Sequence, residues 1–166
     1  LAKATKMSKS GLFAHFQSKE NLQVEILKYA GGIFAETVVV PALRKEAGLP
    51  RIRALVDNWV NWASRHTGGC VFVAASNEFS DREGNVRSSL LRQQEAWIRT
   101  LRKVTRSAIK TGDFREDVDC DQFGFELYSL LLGFHLYHHL LHSEGIEARQ
   151  AVALDQLFDR YRQLEA

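Results

Sequence analysis

Apolar side chains recur at steps of three and four residues along most of this 166-residue chain. Residues spaced in this way share one face of an α-helix, whereas a half-buried strand needs alternation at every second position. Only two prolines interrupt the pattern, and proline removes the amide that a helix interior requires. The spacing therefore predicts an all-α fold.

Turn residues divide this pattern into successive helices. One helix is predicted after Gln17–Ser18, with Leu22, Ile26, Tyr29 and Ile33 as its apolar row. Gly31–Gly32 should weaken this helix, and Pro41 should kink or end it. Although Val71–Val73 is strand-like in composition, it has no partner strand, so helix is favoured there. Later helices are predicted over 51–65, 71–79, 85–111, from Asp119 or Asp121 to His142, and over 147–164.

Composition and charge exclude several classes of protein. A hydrophobic content of 45% and a charged content of 25% are ordinary for a globular chain. Two cysteines, Cys70 and Cys120, do not form a disulfide framework, so we expect a reducing, cytoplasmic location. No apolar run is long enough to predict a membrane segment. The chain opens at Leu1 in what reads as mid-helix, so we expect the natural protein to have residues before it.

The first 22 residues contain the most specific local signal. Two short helices, over about 1–5 and 9–16, are predicted on either side of a tight turn, with Ser8 as a plausible N-cap. Small residues at the start of a second helix let its backbone enter the DNA major groove, and flanking lysines can meet phosphates. Four lysines and one glutamate give the first 20 residues a charge of +3, although the whole chain carries only +2.

The stretch from Met7 to Leu22, MSKSGLFAHFQSKENL, resembles the second half of the DNA-binding motif of the TetR family. The resemblance implies a partial helix-turn-helix DNA-binding domain with its connecting helix at 1–28, then a helical effector-binding and dimerisation domain at 29–166. Phe13 stands where the family usually has tyrosine, and Lys6 replaces the usual turn glycine. The DNA-contacting residues implied are Ser8, Lys9, Ser10, Gly11, Phe13, His15 and Lys19.

The function that the resemblance implies is a DNA-binding transcriptional regulator, a repressor released by a small, mostly apolar effector. Such a protein acts as a homodimer on a near-palindromic operator, because two recognition helices lie about one DNA turn apart. No membrane partner, cofactor, metal or catalytic residue is expected. Aromatic residues rich enough to form an effector cavity are predicted at Trp59, Trp62, Phe72, Phe79, Trp97 and Tyr128, with His135 beside them.

The last two helices are predicted to form the dimer contact, packing as a four-helix bundle across a two-fold axis. The penultimate helix has two apolar rows, one through Phe123 and Leu127 and a second through Phe125 and Leu132, which predicts burial on two sides. The interface residues predicted are Phe123, Leu127, Leu131, Phe134, His138, Leu154, Phe158 and Tyr161.

Two other functions stay open from the sequence. Histidines at 135, 138, 139 and 142 share a helix face, and imidazoles at i and i+4 can bind zinc, so a metal-dependent enzyme is one alternative. No neighbouring residue completes a metal site, and we expect these histidines to line a core, a pocket edge or a subunit contact. The second alternative is a helical dimerisation module that has lost DNA binding.

Two further features have an ordinary structural interpretation. A basic stripe on one helix face is expected to be solvated, and Cys70 is expected to be a small buried residue rather than a redox sensor. The stripe comprises Arg99, Lys103, Arg106 and Lys110.

Overall fold

The computed structural model of the protein describes residues 16–65 and 68–163. Within these ranges the only β-type pairing is an isolated bridge between Phe114 and Arg162. The predicted all-α fold is confirmed. The helices are α1 (Lys19–Phe34), α2 (Val40–Leu43), α3 (Leu49–Arg65), α4 (Val71–Phe79), α5 (Asn85–Lys110), α6 (Cys120–His139) and α7 (Ile146–Tyr161), with a π-helical turn over Ala35–Val39.

Side-chain caps fix where two of these helices begin. The hydroxyl of Ser18 accepts a hydrogen bond from the Asn21 amide at 3.0 Å, which starts α1 where the turn was predicted. The carboxylate of Asp119 accepts from the amides of Asp121 and Gln122 at 2.8 and 3.3 Å, so Asp119 rather than Asp121 caps α6. Both caps satisfy first-turn amides that have no partner within the helix.

The predicted kink at Pro41 takes the form of the π-helical turn. This widened turn immediately precedes α2, and Pro41 lies in the first turn of α2. Asn58 of α3 donates its Nδ2 hydrogen to the Val38 carbonyl at 3.0 Å, which supplies a partner for a carbonyl in the irregular turn. A π-type bulge is a known cause of local helix bending, and here it connects α1 to the rest of the molecule.

Helix α5 is the central element, since it contacts α1, α3, α4 and α6. The apolar row predicted for α1 was partly wrong, because Ile26 and Tyr29 are 42% and 74% exposed. Leu27, at 3% exposed, points into the core instead. A Cβ atom on Gly31 would lie 2.5 Å from Gln93 Nε2, so the small residue lets α1 approach α5 closely.

The stretch Lys19–Leu43 is long and apolar enough to cross a membrane by length and composition, since a window of 18 residues within it has a mean hydropathy of 1.4. The core helix of a soluble protein passes the same test. Part of the apolar surface of this stretch is taken up by packing, because Leu27, Val38 and Ala42 are buried in the core.

Candidate functional site

The ring of Phe34, at the end of α1, lies among three other aromatic rings. It packs edge-to-face against Trp62 at 5.6 Å, Phe72 at 5.8 Å and Trp97 at 5.3 Å between centroids. This geometry places the positive edge of one ring against the negative face of another. We call the cluster the aromatic centre, and it brings α1, α3, α4, α5 and α6 together. Its members are Phe34, Trp59, Trp62, Phe72, Trp97 and Tyr128.

A cavity of about 20 Å³ lies in the aromatic centre. That volume holds about one water molecule, whereas pockets for small organic ligands usually measure several hundred Å³. A small organic ligand can therefore enter only if the lining side chains move apart. The lining residues are Phe34, Trp59, Cys70, Phe72, Gln93, Gln94, Trp97 and Tyr128.

Polar atoms are few around this cavity. The Tyr128 hydroxyl donates to Gln94 Oε1 at 2.9 Å, and Gln94 Nε2 donates to Ser76 Oγ at 3.4 Å. Burial raises the pKa of Tyr128 to about 12, so this hydroxyl stays protonated at neutral pH. Trp97 Nε1 is buried, and it finds no hydrogen-bond acceptor in the described part of the chain.

Two histidines connect α6 to Ala63 near the end of α3 and to Cys70, which follows Gly68–Gly69. The Cys70 amide donates to His135 Nε2 at 3.0 Å, so His135 is neutral and carries its proton on Nδ1. His139 Nε2 lies 2.5 Å from the Ala63 carbonyl, which can only accept, so His139 donates. Burial lowers the pKa of His135, and the adjacent rings of His139 and His138 lower it further. His135 therefore positions Cys70, which lines the cavity.

The histidine face does not form a metal site in this structure. Across residues 16–65 and 68–163, no group of three or more His, Cys, Asp or Glu side chains is placed to hold a metal ion. His138 is half-buried against Phe134, with ring centroids 5.2 Å apart, and its Nε2 lies 3.8 Å from Glu147. The predicted basic stripe on α5 is exposed and Cys70 is buried, as expected.

Four of the seven residues predicted to bind an effector line the cavity: Trp59, Phe72, Trp97 and Tyr128. Trp62 is not among the lining residues but packs against Phe34, which is, and His135 acts through the Cys70 backbone. Phe79 lies elsewhere, at the opposite end of α4, in a groove of about 190 Å³.

Four lining residues were not predicted as such from the sequence, namely Phe34, Cys70, Gln93 and Gln94. Phe34 follows Leu27 by seven residues, so it shares a helix face with the residue of α1 that is buried. The seven-residue spacing could therefore have identified Phe34 from the sequence. Nothing in the sequence indicated the two glutamines, because the periodicity of apolar residues does not mark polar ones.

Six of the eight predicted dimer residues are enclosed by their own chain and are not available to a partner. Each is at most 8% exposed, because α6 packs on α3, α5 and α7 through these rows. Of the other two, His138 is half-buried, and Tyr161 donates its hydroxyl to Glu126 Oε1 at 3.0 Å. The six buried residues are Phe123, Leu127, Leu131, Phe134, Leu154 and Phe158.

A different apolar row faces outward on α6, and we call it the outer face. It comprises Phe125, Leu132 and Leu136 together with the C-cap residue Leu140, which are 68%, 37%, 47% and 69% exposed. Two open grooves of about 550 and 790 Å³ run between α6 and α7, and both are lined by Ser129, Leu130 and Ala153. Phe125 and Leu132 belong to the second apolar row predicted for this helix, and neither is buried within the chain.

One of the seven predicted DNA-contacting residues, Lys19, falls within the described residues. It is the first residue of α1 and is exposed. The others lie outside the described residues: Ser8, Lys9, Ser10, Gly11, Phe13 and His15.

Solved structures with the same helix arrangement are transcriptional regulators. A TetR transcriptional regulator from Chloroflexus aurantiacus J-10-fl is similar with a TM-score of 0.83 and 23% identity, over 98% of this chain and 84% of that one. AibR, solved in complex with isovaleryl coenzyme A and operator DNA, is similar with a TM-score of 0.69 and 21% identity, over 97% of this chain and 84% of AibR. These likenesses define the fold as that of a TetR-type regulator.

Residues 48–154 match the family model described as "Tetracyclin repressor-like, C-terminal domain". The chain therefore belongs to the TetR family, a family of transcriptional regulators and not of enzymes. It is also 27% identical over 119 residues to the HTH-type transcriptional repressor DhaR of Mycobacterium sp. (strain GP1). That match takes in 71% of this chain and 59% of the length of DhaR.

Proposed function

We propose that the chain is part of a sequence-specific DNA-binding repressor, which a small, mostly apolar effector releases from its operator. The observation that carries this proposal is the position of Phe34. It ends the helix that follows the predicted DNA-reading segment, and it also lines the cavity of the aromatic centre. A molecule that enlarges the cavity on the side of α1 displaces Phe34, and so acts directly on α1.

Helix α1 is held at both ends by the body of the protein. Near its start, Glu20 Oε1 accepts from the Asn85 amide at 2.8 Å, at the first turn of α5. At its end, Phe34 packs against Trp97 on the same helix. A change at Phe34 therefore tilts α1 about its Glu20 contact and moves the segment before Lys19. The effector shifts this equilibrium only by binding one arrangement more tightly than the other.

The domain boundary that we propose, between residues 28 and 29, falls inside α1. This helix runs uninterrupted from Lys19 to Phe34, so it belongs mechanically to both the DNA-reading segment and the effector domain. A protein that binds the operator works where DNA is, and both cysteines are free, which supports a cytoplasmic location.

We propose a second copy of the chain as the partner of the outer face. The family membership supports a homodimer, and the outer face together with the two grooves offers an apolar surface on the last two helices. Ser129 and Ala153 are small residues shared by both grooves, so a partner helix can approach closely there. A two-fold axis at this face places two DNA readers side by side, which predicts a near-palindromic operator.

Selection of bound sequences from a random double-stranded DNA library tests the proposal on the full natural protein. We expect enrichment of a near-palindrome with half-sites about one turn apart. K9A should weaken binding and lower the salt slope by about 1, because one phosphate contact is lost. K28A is the matched control, since Lys28 is exposed on α1 and pairs with Glu25, and it should bind normally.

Failure to enrich any sequence, with dimerisation intact, would favour a helical dimerisation module that has lost DNA binding.

A further inference from the structure

The lining of the cavity restricts the chemistry of what can enter it. The lining residues that the structure describes include five aromatic rings and no charged side chain. A charged ligand would lose its hydration there without gaining a counter-ion, which is strongly unfavourable. The cavity therefore favours a neutral molecule with a flat apolar body.

Trp97 adds a specific polar requirement. Its side chain is 5% exposed and lines the cavity, yet Nε1–H has no acceptor among residues 16–65 and 68–163. Buried donors in native proteins are nearly always paired, and an unpaired one is costly. Indole N–H can only donate, so the missing partner is an acceptor. The Tyr128 hydroxyl, which donates to Gln94, does not accept from Trp97 either, since this nitrogen has no partner among those residues.

Gln93 identifies the part of the wall that can yield. Its side chain lines the cavity, lies against Gly31 of α1, and makes no hydrogen bond with another residue that the structure describes. It can therefore swing aside without breaking a polar contact. Together with Phe34, it forms the side of the cavity that faces α1.

We infer that the effector is an uncharged molecule about the size of a substituted benzene ring, with an oxygen acceptor that takes the hydrogen bond of Trp97 Nε1. This rests on the proposed function, since it names the ligand class of the same site. The apolar body displaces Phe34 and Gln93, and the acceptor satisfies the unpaired donor.

Three probes of similar size separate the requirement for an oxygen acceptor from the requirement for a neutral molecule. Acetophenone carries a carbonyl, ethylbenzene replaces it with a methylene, and benzoate adds a negative charge. Dissociation constants for the full chain can be measured by tryptophan fluorescence and thermal shift. We expect acetophenone to bind at millimolar concentration or below, and benzoate to bind much more weakly.

Substitution of the donor gives the decisive comparison. W97F removes the N–H and keeps an aromatic ring, so the affinity ratio of acetophenone to ethylbenzene should fall about tenfold. W59F changes the same wall but leaves Trp97 intact, and it should keep the wild-type ratio. The chain has three tryptophans, so ¹⁵N-labelled indole signals are easily assigned. In the unsubstituted protein, acetophenone but not ethylbenzene should shift the Trp97 indole proton downfield.

Several results would overturn the inference. These are an unchanged ratio in W97F, benzoate binding as tightly as acetophenone, an unmoved Trp97 indole proton, or no binding of acetophenone. If the protein still selects an operator, only the ligand class is wrong. Loss of operator selection in the unsubstituted protein would instead reject the proposed function.

Discussion

The aromatic centre and the outer face are both apolar and both draw on α6, yet they differ in how far they are enclosed. The aromatic centre is surrounded by five helices and leaves a cavity of about 20 Å³. The outer face has neighbours on one side and opens into grooves of about 550 and 790 Å³. Apolar composition is common to both regions. What separates the closed cavity from the open face is the number of helices packed around each.

The difference is already present between two phenylalanines on one helix. Phe123 and Phe125 are two positions apart on α6, so they point to nearly opposite sides of it. Phe123 is 0% exposed and Phe125 is 68% exposed. Substituting each in turn therefore measures what enclosure contributes, with residue type and helix held constant.

The largest effect is expected for F123A. It removes a fully buried ring that packs against Phe114 at 5.0 Å and Tyr161 at 5.1 Å, and the cavity left behind cannot refill. The free energy of unfolding should fall by about 4 kcal/mol in urea denaturation. Y29A, which removes an exposed aromatic ring from α1, should change it by less than about 0.5 kcal/mol. A cost for F123A as small as that of Y29A would mean that α6 is not packed as described.

F125A should affect association instead of folding of the single chain. The exposed ring lines one of the grooves where we place the second copy, so the dimer dissociation constant should rise about tenfold or more. Sedimentation velocity over a dilution series measures this change. Y29A is again the control and should leave the dimer intact. An unchanged dissociation constant for F125A would place the dimer contact elsewhere.

Two neighbouring glycines in α1 test how closely this helix packs against α5, with a smaller expected effect on stability. G32A should stabilise the protein by about 0.5–1 kcal/mol, because alanine favours helix and a Cβ there has nothing within 4 Å. G31A gains the same helix propensity but forces the Gln93 side chain to move, so its net gain should be smaller. Thermal unfolding of both variants measures the difference. Equal gains would contradict the close contact between α1 and α5.

The smallest effect is a pH dependence at His135. Its pKa is lowered from the ordinary value of 6.5 in the folded chain, so the unfolded chain takes up a proton at a higher pH than the folded one. The stability is therefore complete above pH 6.5 and declines as the pH falls toward the lowered pKa. H135Q keeps an acceptor for the Cys70 amide but does not titrate, so it should lose less stability over this range.

Urea denaturation at a series of pH values tests this expectation. H142Q, which alters an exposed histidine, is the control and should behave like the unsubstituted protein. If H135Q follows the same pH profile as the control, the bond between His135 and Cys70 does not contribute as described.

Several local features followed from the sequence because neighbouring residues determine them. The helix over Val71–Phe79 has its predicted bounds, α1 begins at the predicted turn Gln17–Ser18, and Asp119, one of the two predicted caps, caps α6. Two errors had a different origin. The row assigned to α1 and the residues assigned to the dimer both assumed which apolar face meets the core. That choice depends on packing partners that are distant in the chain.

In the candidate site, too, the kind of residue was predictable from the sequence, whereas positions set by distant contacts were not. Four of the aromatic residues that we expected to form an effector cavity line the small cavity of the aromatic centre. Gln93 could not be found in this way, because its position follows from the approach of α1 to α5 at Gly31. Gln94 is placed by its hydrogen bonds with Tyr128 and Ser76. The role of His135 also arises from a contact between residues 65 positions apart, the hydrogen bond with the Cys70 amide.

By itself, then, the sequence determined the helical class, the turns, and the family resemblance carried by the stretch from Met7 to Leu22. These depend on periodicity and on short-range spacing, which are written along the chain. Only the tertiary structure decided which row of α6 is enclosed, that the cavity measures about 20 Å³, and that Trp97 Nε1 has no acceptor among residues 16–65 and 68–163. The physical reason is that burial and hydrogen-bond pairing depend on which helices surround a side chain.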